Sequence, residues 1–132
     1  MERIKKDYIE QWFRKADEDI AVLEKLLSDQ PEHYTGAICF HAQQAVEKFL
    51  KIFLIYHDVE FRKVHDVDYL LDECKKINIE KFDWIDLKSL TDYAVSVRYP
   101  DDFICPSLDD ANYYSEIAYA IRILIYNLIE IE

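Results

Sequence analysis

His41, Gln44, Glu47 and Lys48 bring an imidazole, an amide, a carboxylate and an amine into one short stretch of chain. At 100° per residue they fall on a single arc of about 120°. The adjoining arc carries Ile38, Ala42, Ala45, Phe49, Ile52 and Tyr56. A helix here therefore has a packing face and a separate polar stripe. Such a stripe either recognises a polar ligand or forms a hydrogen-bonded seam against another helix. The plainer reading is a solvated face on which Glu47 and Lys51 are an ordinary i,i+4 pair, and the residues alone favour it.

Two further segments carry recognition chemistry. His65-Asp66 precedes an apolar-periodic run, and Arg98-Tyr99-Pro100-Asp101-Asp102 follows one. Arginine offers a planar fork for phosphate, tyrosine offers a face for stacking, and aspartate accepts from sugar hydroxyls. Each also has a local use: His65 in loop packing, and Arg98 on the last carbonyls of a helix. His65 and Arg98 converge if the third helix starts on the side of the domain where the fourth ends.

Other chemistries find less support. The histidines are His33, His41, His57 and His65. No two stand at the i,i+3 or i,i+4 spacing of a helical metal site, so no metal and no other cofactor is expected. There is no G-x-S-x-G, and no cysteine has an obvious neighbouring base, so nucleophilic hydrolysis has no signature. No residue is assigned a catalytic role.

The elements that must position these residues read as helices. Ile9, Phe13, Ala16, Ile20, Leu23 and Leu27 predict a first helix from about Lys5 to Leu27, stopped before Pro31. The second spans about Thr35 to Tyr56, with Thr35 as N-cap. The third runs from an Asp66 cap to about Lys76, and a link from Asn78 to Lys81 leads to a fourth from about Asp83 to Val97. Ser107-Leu108-Asp109-Asp110 has the form of a capping box and opens a fifth helix that runs to about Ile131. That helix is apolar almost all round from Ile117 to Ile129, so it is either central or shared with another subunit.

Composition agrees. One glycine and three prolines in 132 residues cannot supply the turns of a sheet protein or a Gly-rich phosphate cradle. An all-α fold follows, as a single domain over residues 1–132. Sixteen Lys and Arg against 27 Asp and Glu give a net charge of −11. That disfavours bulk nucleic-acid binding and attraction to anionic membranes. The three cysteines, Cys39, Cys74 and Cys105, form no C-x-x-C. They read as reduced thiols of a cytoplasmic protein. The charged opening residues show no signal peptide, and the apolar run near the end is too short and polar to span a membrane.

Four segments together resemble the HEPN family, the nucleotide-binding domain of higher eukaryotes and prokaryotes. They are WFRKADEDIAVLEKLL at 12–27, FHAQQAVEKFLKIFLI at 40–55, VHDVDYLL at 64–71 and YAVSVRYPDD at 93–102. The resemblance implies an up-and-down antiparallel bundle of five helices that forms a homodimer. It further implies a nucleotide ligand and a minimal nucleotidyltransferase partner in a toxin–antitoxin-like pair. One branch of the family consists of metal-independent ribonucleases carrying R-x(4–6)-H. Here no arginine is followed by histidine at that distance, and no histidine lies after His65. The resemblance thus points first to a non-catalytic binding module, with a degenerate ribonuclease as the alternative. Its ligand-facing residues are expected to be His41, Gln44, Lys48, His65, Arg98, Tyr99 and Asp101.

Overall fold

The computed structural model describes residues 1–88, 90 and 105–129. Among them every regular element is helical: α1 (Arg3–Leu27), a 3₁₀ turn (Pro31–His33), α2 (Thr35–Tyr56), α3 (Val67–Ile77), α4 (Ile79–Phe82) and α5 (Leu108–Leu128). The all-α, five-helix reading is borne out.

The helix ends follow from local chemistry. Glu2 caps α1, its carboxylate accepting from the Ile4 and Lys5 amides at 3.0 and 3.3 Å. Ser28 closes α1, and Gln30 takes a left-handed φ of 51° just before Pro31. Asp66 caps α3 as its sequence position predicts, accepting from the Tyr69 amide at 3.1 Å. The capping box of α5 is formed in both directions. Ser107 Oγ accepts from the Asp110 amide at 3.0 Å, and Asp110 accepts from the Ser107 amide at 3.3 Å. The Asp110 carboxylate also lies where the helix dipole favours negative charge.

Three expectations need correction. Thr35 is the first residue of α2 and not its cap. Tyr34 holds the cap position without a side-chain bond, and the Thr35 hydroxyl instead lies 3.6 Å from Cys105 Sγ. The fourth helix does not begin at Asp83. The supposed link is itself the short α4, capped by Asn78, whose side-chain oxygen accepts from the Lys81 amide at 3.3 Å. Residues 83–88 then follow as turn and irregular chain. Lys88 there has a φ of 49°, a left-handed value that breaks helical continuity. Apart from buried Leu90, the rest of the expected span lies outside the described residues. Finally, α2 and not α5 is the central helix, packing against α1, α5 and α3.

The core explains that centrality. Ile38, Ala42, Ala45, Phe49, Ile52 and their neighbours on α2 are fully buried, facing Ile9, Phe13, Ala16 and Leu23 of α1 and Ala118, Ile121 and Ile125 of α5. Each large aliphatic or aromatic side chain removed from water contributes about 1.5–3 kcal/mol. α5 is buried along one side only, leaving Ile123 59% and Tyr126 41% exposed. No helix among the described residues is long and apolar enough to cross a membrane.

Candidate functional site

The polar stripe of α2 is not a solvated face. It divides into two hydrogen-bonded clusters, each built on a buried carboxylate. In the first, Asp19 of α1 accepts from Lys48 Nζ through Oδ2 and meets His41 Nδ1 through Oδ1 at 3.0 Å. Asp19 is 8% exposed, although it stands among the apolar positions Ala16, Ile20 and Leu23. Its charge is tolerated there because His41 and Lys48, about two turns apart on α2, converge on it.

The second cluster centres on Glu47, which is 4% exposed. Its Oε2 accepts from Lys51 Nζ at 3.1 Å, and its Oε1 accepts from Gln43 Nε2 at 3.3 Å and lies 2.9 Å from His65 Nδ1. Gln43 also donates to the His65 carbonyl at 3.1 Å, and Gln44 donates to Gln43 Oε1 at 2.8 Å. The Glu47–Lys51 pair is therefore the centre of a buried network rather than a surface pair, for Lys51 is only 8% exposed. Gln43, Glu47 and Lys51 recur at i, i+4 and i+8, one stripe of the helix. No buried side-chain N or O atom among the described residues lacks a partner, so the network is complete.

His65 differs from the other members. Its side chain is 74% exposed, while its partner Glu47 is enclosed. A carboxylate only accepts, so a neutral His65 carries its proton on Nδ1 and presents Nε2 as an acceptor to solvent. The imidazole is thus held from behind and open in front.

In front lies a groove of about 620 Å³ between α1, the end of α2 and the segment 59–65. Tyr8 and Trp12 form one wall in an edge-to-face pair with centroids 6.3 Å apart. Val59, Phe61, Val64, Ile55, Lys51, Lys63 and His65 also line the groove. The Lys51 ammonium sits 5.7 Å from the centre of the Trp12 ring. The N-terminal end of α1 is tied down beside the groove by Lys5, which donates to the Tyr56 carbonyl at 2.6 Å and pairs with Asp58 at 3.1 Å.

Of the expected site residues, the structure places His65 against the Glu47 network, Gln44 beside Gln43, and His41 and Lys48 together on Asp19. Arg98, Tyr99 and Asp101 lie outside the described residues, and so does any approach of Arg98 to His65. The sequence alone did not single out Gln43, Asp19 or the aromatic wall, and it offered Lys51 only as the surface partner of Glu47. Two signals were available: the i,i+4,i+8 recurrence of polar residues, and a carboxylate on the apolar face of the first helix. Among the described residues no group of three His, Cys, Asp or Glu side chains is placed to hold a metal ion.

The described residues form an all-helical fold in which the central helix carries a buried carboxylate–lysine–histidine network beside a groove. The family is the HEPN domain family, to which the chain belongs: the family model matches residues 9–127. No curated protein and no solved structure matches the chain significantly.

Proposed function

We propose that the protein is a HEPN nucleotide-binding and interaction module without enzymatic activity of its own. The observation that supports this most is His65, fixed through Nδ1 by buried Glu47 and open to solvent. A rigid, exposed hydrogen-bond acceptor costs little ordering on binding a ligand. Arg98, Tyr99 and Asp101 would complete the ligand-facing surface. His41, Gln44 and Lys48 would join it by sharing the hydrogen bonds they already make. In a chain of charge −11, an anionic nucleotide needs such local cations to offset the general repulsion.

In this reading the protein acts in the cytoplasm as a homodimer beside a minimal nucleotidyltransferase, as one half of a toxin–antitoxin-like pair. The exposed Ile123 and Tyr126 of α5 give the dimer an apolar surface to cover. Calorimetry of the parent, His65→Ala and Arg98→Ala against ATP and GTP tests the module. Each substitution is expected to weaken binding by about 1–3 kcal/mol, the range for a charged hydrogen bond. A parent that binds no nucleotide at millimolar concentration contracts the reading to protein–protein interaction.

One observation favours a second reading, the metal-independent ribonuclease. A histidine oriented by a carboxylate, with its other nitrogen exposed, is equipped to move a proton. Cleavage of a short RNA in the presence of a chelator, lost in both His65→Ala and Arg98→Ala, would establish that activity over the binding module.

A further inference from the structure

The groove beside His65 is larger than the polar chemistry at its margin requires. Its volume of about 620 Å³ lies in the range of small-molecule sites, and its walls are mostly apolar with a few convergent polar groups, as such sites are. Half-buried Trp12 and half-exposed Tyr8 offer ring surface, and Phe61 also lines the groove. The charges are asymmetric. The Lys51 ammonium is already paired with Glu47, so Lys63 stands with Glu60 in the groove, and Lys15 adds a cation in a smaller annex of about 140 Å³ that shares Tyr8 and Trp12. Within a strongly acidic chain this leaves a net positive charge of one, from Lys15 and Lys63 against Glu60, beside the aromatic wall.

We propose that the groove binds a small ligand made of a flat aromatic ring bearing one anionic group. The ring lies against Tyr8, Trp12 and Phe61, and the anion meets Lys63. Lys51, already neutralised by Glu47, holds the Trp12 ring in place and contributes less to the anion. Two sources share this chemistry, a mononucleotide and an aromatic carboxylic acid. The inference stands on the groove and not on the nucleotide reading above.

Trp12 and Trp84 are the two tryptophans of the chain, so Trp84→Phe makes Trp12 the sole reporter. Its emission is followed during titration with adenosine 5′-monophosphate, with phenylacetate, and with inorganic phosphate as an anion without a ring. A saturable change with either aromatic anion and none with phosphate is expected. Binding should weaken about three- to tenfold in Lys63→Ala and fall further in Tyr8→Ala. Both positions are exposed, so neither change threatens the fold. A response to the nucleotide alone or to phenylacetate alone supports the site and names its source. Unchanged emission with both aromatic ligands, an equal response to phosphate, or indifference to both substitutions overturns it. Calorimetric binding of the nucleotide with unchanged Trp12 emission also overturns the groove site, while leaving the nucleotide-binding module standing.

Discussion

Glu47 Oε1 and His65 Nδ1 lie 2.9 Å apart across 18 residues of sequence, and only the carboxylate is buried. The pair joins the interior of α2 to the chain entering α3. It converts a surface histidine into one whose ring is fixed through Nδ1 and whose Nε2 edge faces solvent. Stability and ligand contact should therefore separate between its two members.

Glu47→Ala leaves the Lys51 ammonium buried without its counter-charge. A loss of about 3–5 kcal/mol is expected, the usual cost of breaking a buried pair on one side. Urea unfolding followed by circular dichroism measures it. The double change Glu47→Leu with Lys51→Met should lose less than Glu47→Ala alone, because no charge is stranded. His65→Ala, on a side chain mostly in water, should cost under about 1 kcal/mol.

Asp19 links α1 to α2 through His41 and Lys48. Asp19→Asn keeps the shape and removes the charge. It should destabilise the fold by about 1.5–3 kcal/mol, the range for hydrogen bonds to charged groups. Equal midpoints for the variant and the parent would show that the clasp holds nothing.

The thiols should differ sharply in reactivity. Burial pushes the Cys39 thiol up to about 12, with Asp110 and Cys105 adding to the effect, and burial raises Cys74 as well. Cys105 is exposed. Since the thiolate is the reactive form, Ellman's reagent at pH 8 should titrate one thiol in the native protein and three in urea. Fast reaction of a second native thiol would contradict the packing around α2.

His57 should give the fold a pH dependence. Burial lowers its proton affinity below the ordinary 6.5, and Lys5 adds to the lowering while Asp58 opposes it. The unfolded chain then binds the proton more readily. This contribution to stability is full above pH 6.5 and is lost as pH falls through the depressed folded value. Denaturation midpoints at pH 7.5 and 5.5 should converge in His57→Gln relative to the parent.

If α5 forms the dimer interface, a charge at its most exposed large apolar residue should prevent association. Sedimentation at tens of micromolar is expected to show a dimer for the parent and a monomer for Ile123→Asp. A monomeric parent would remove the homodimer from the proposed function.

The sequence by itself determined the helices that carry the core. The spacing of Ile9, Phe13, Ala16, Ile20 and Leu23, and of Ile38 through Tyr56, repeats every turn and needs no partner to be read. The caps at Asp66 and Ser107 are equally local, since each bonds an amide three residues on. The short α4 was hidden because a single turn carries no period, and Lys88 adopts its left-handed conformation without a glycine to announce it. The polar stripe was legible as residue types but not as a site. Whether Glu47 is a surface charge or the centre of a network depends on what covers it, and covering is a property of neighbouring elements. Asp19, His65 and Trp12 reach α2 from elsewhere in the chain, so only tertiary packing decided that two carboxylates are buried, that one histidine stays open, and that a groove forms in front of it.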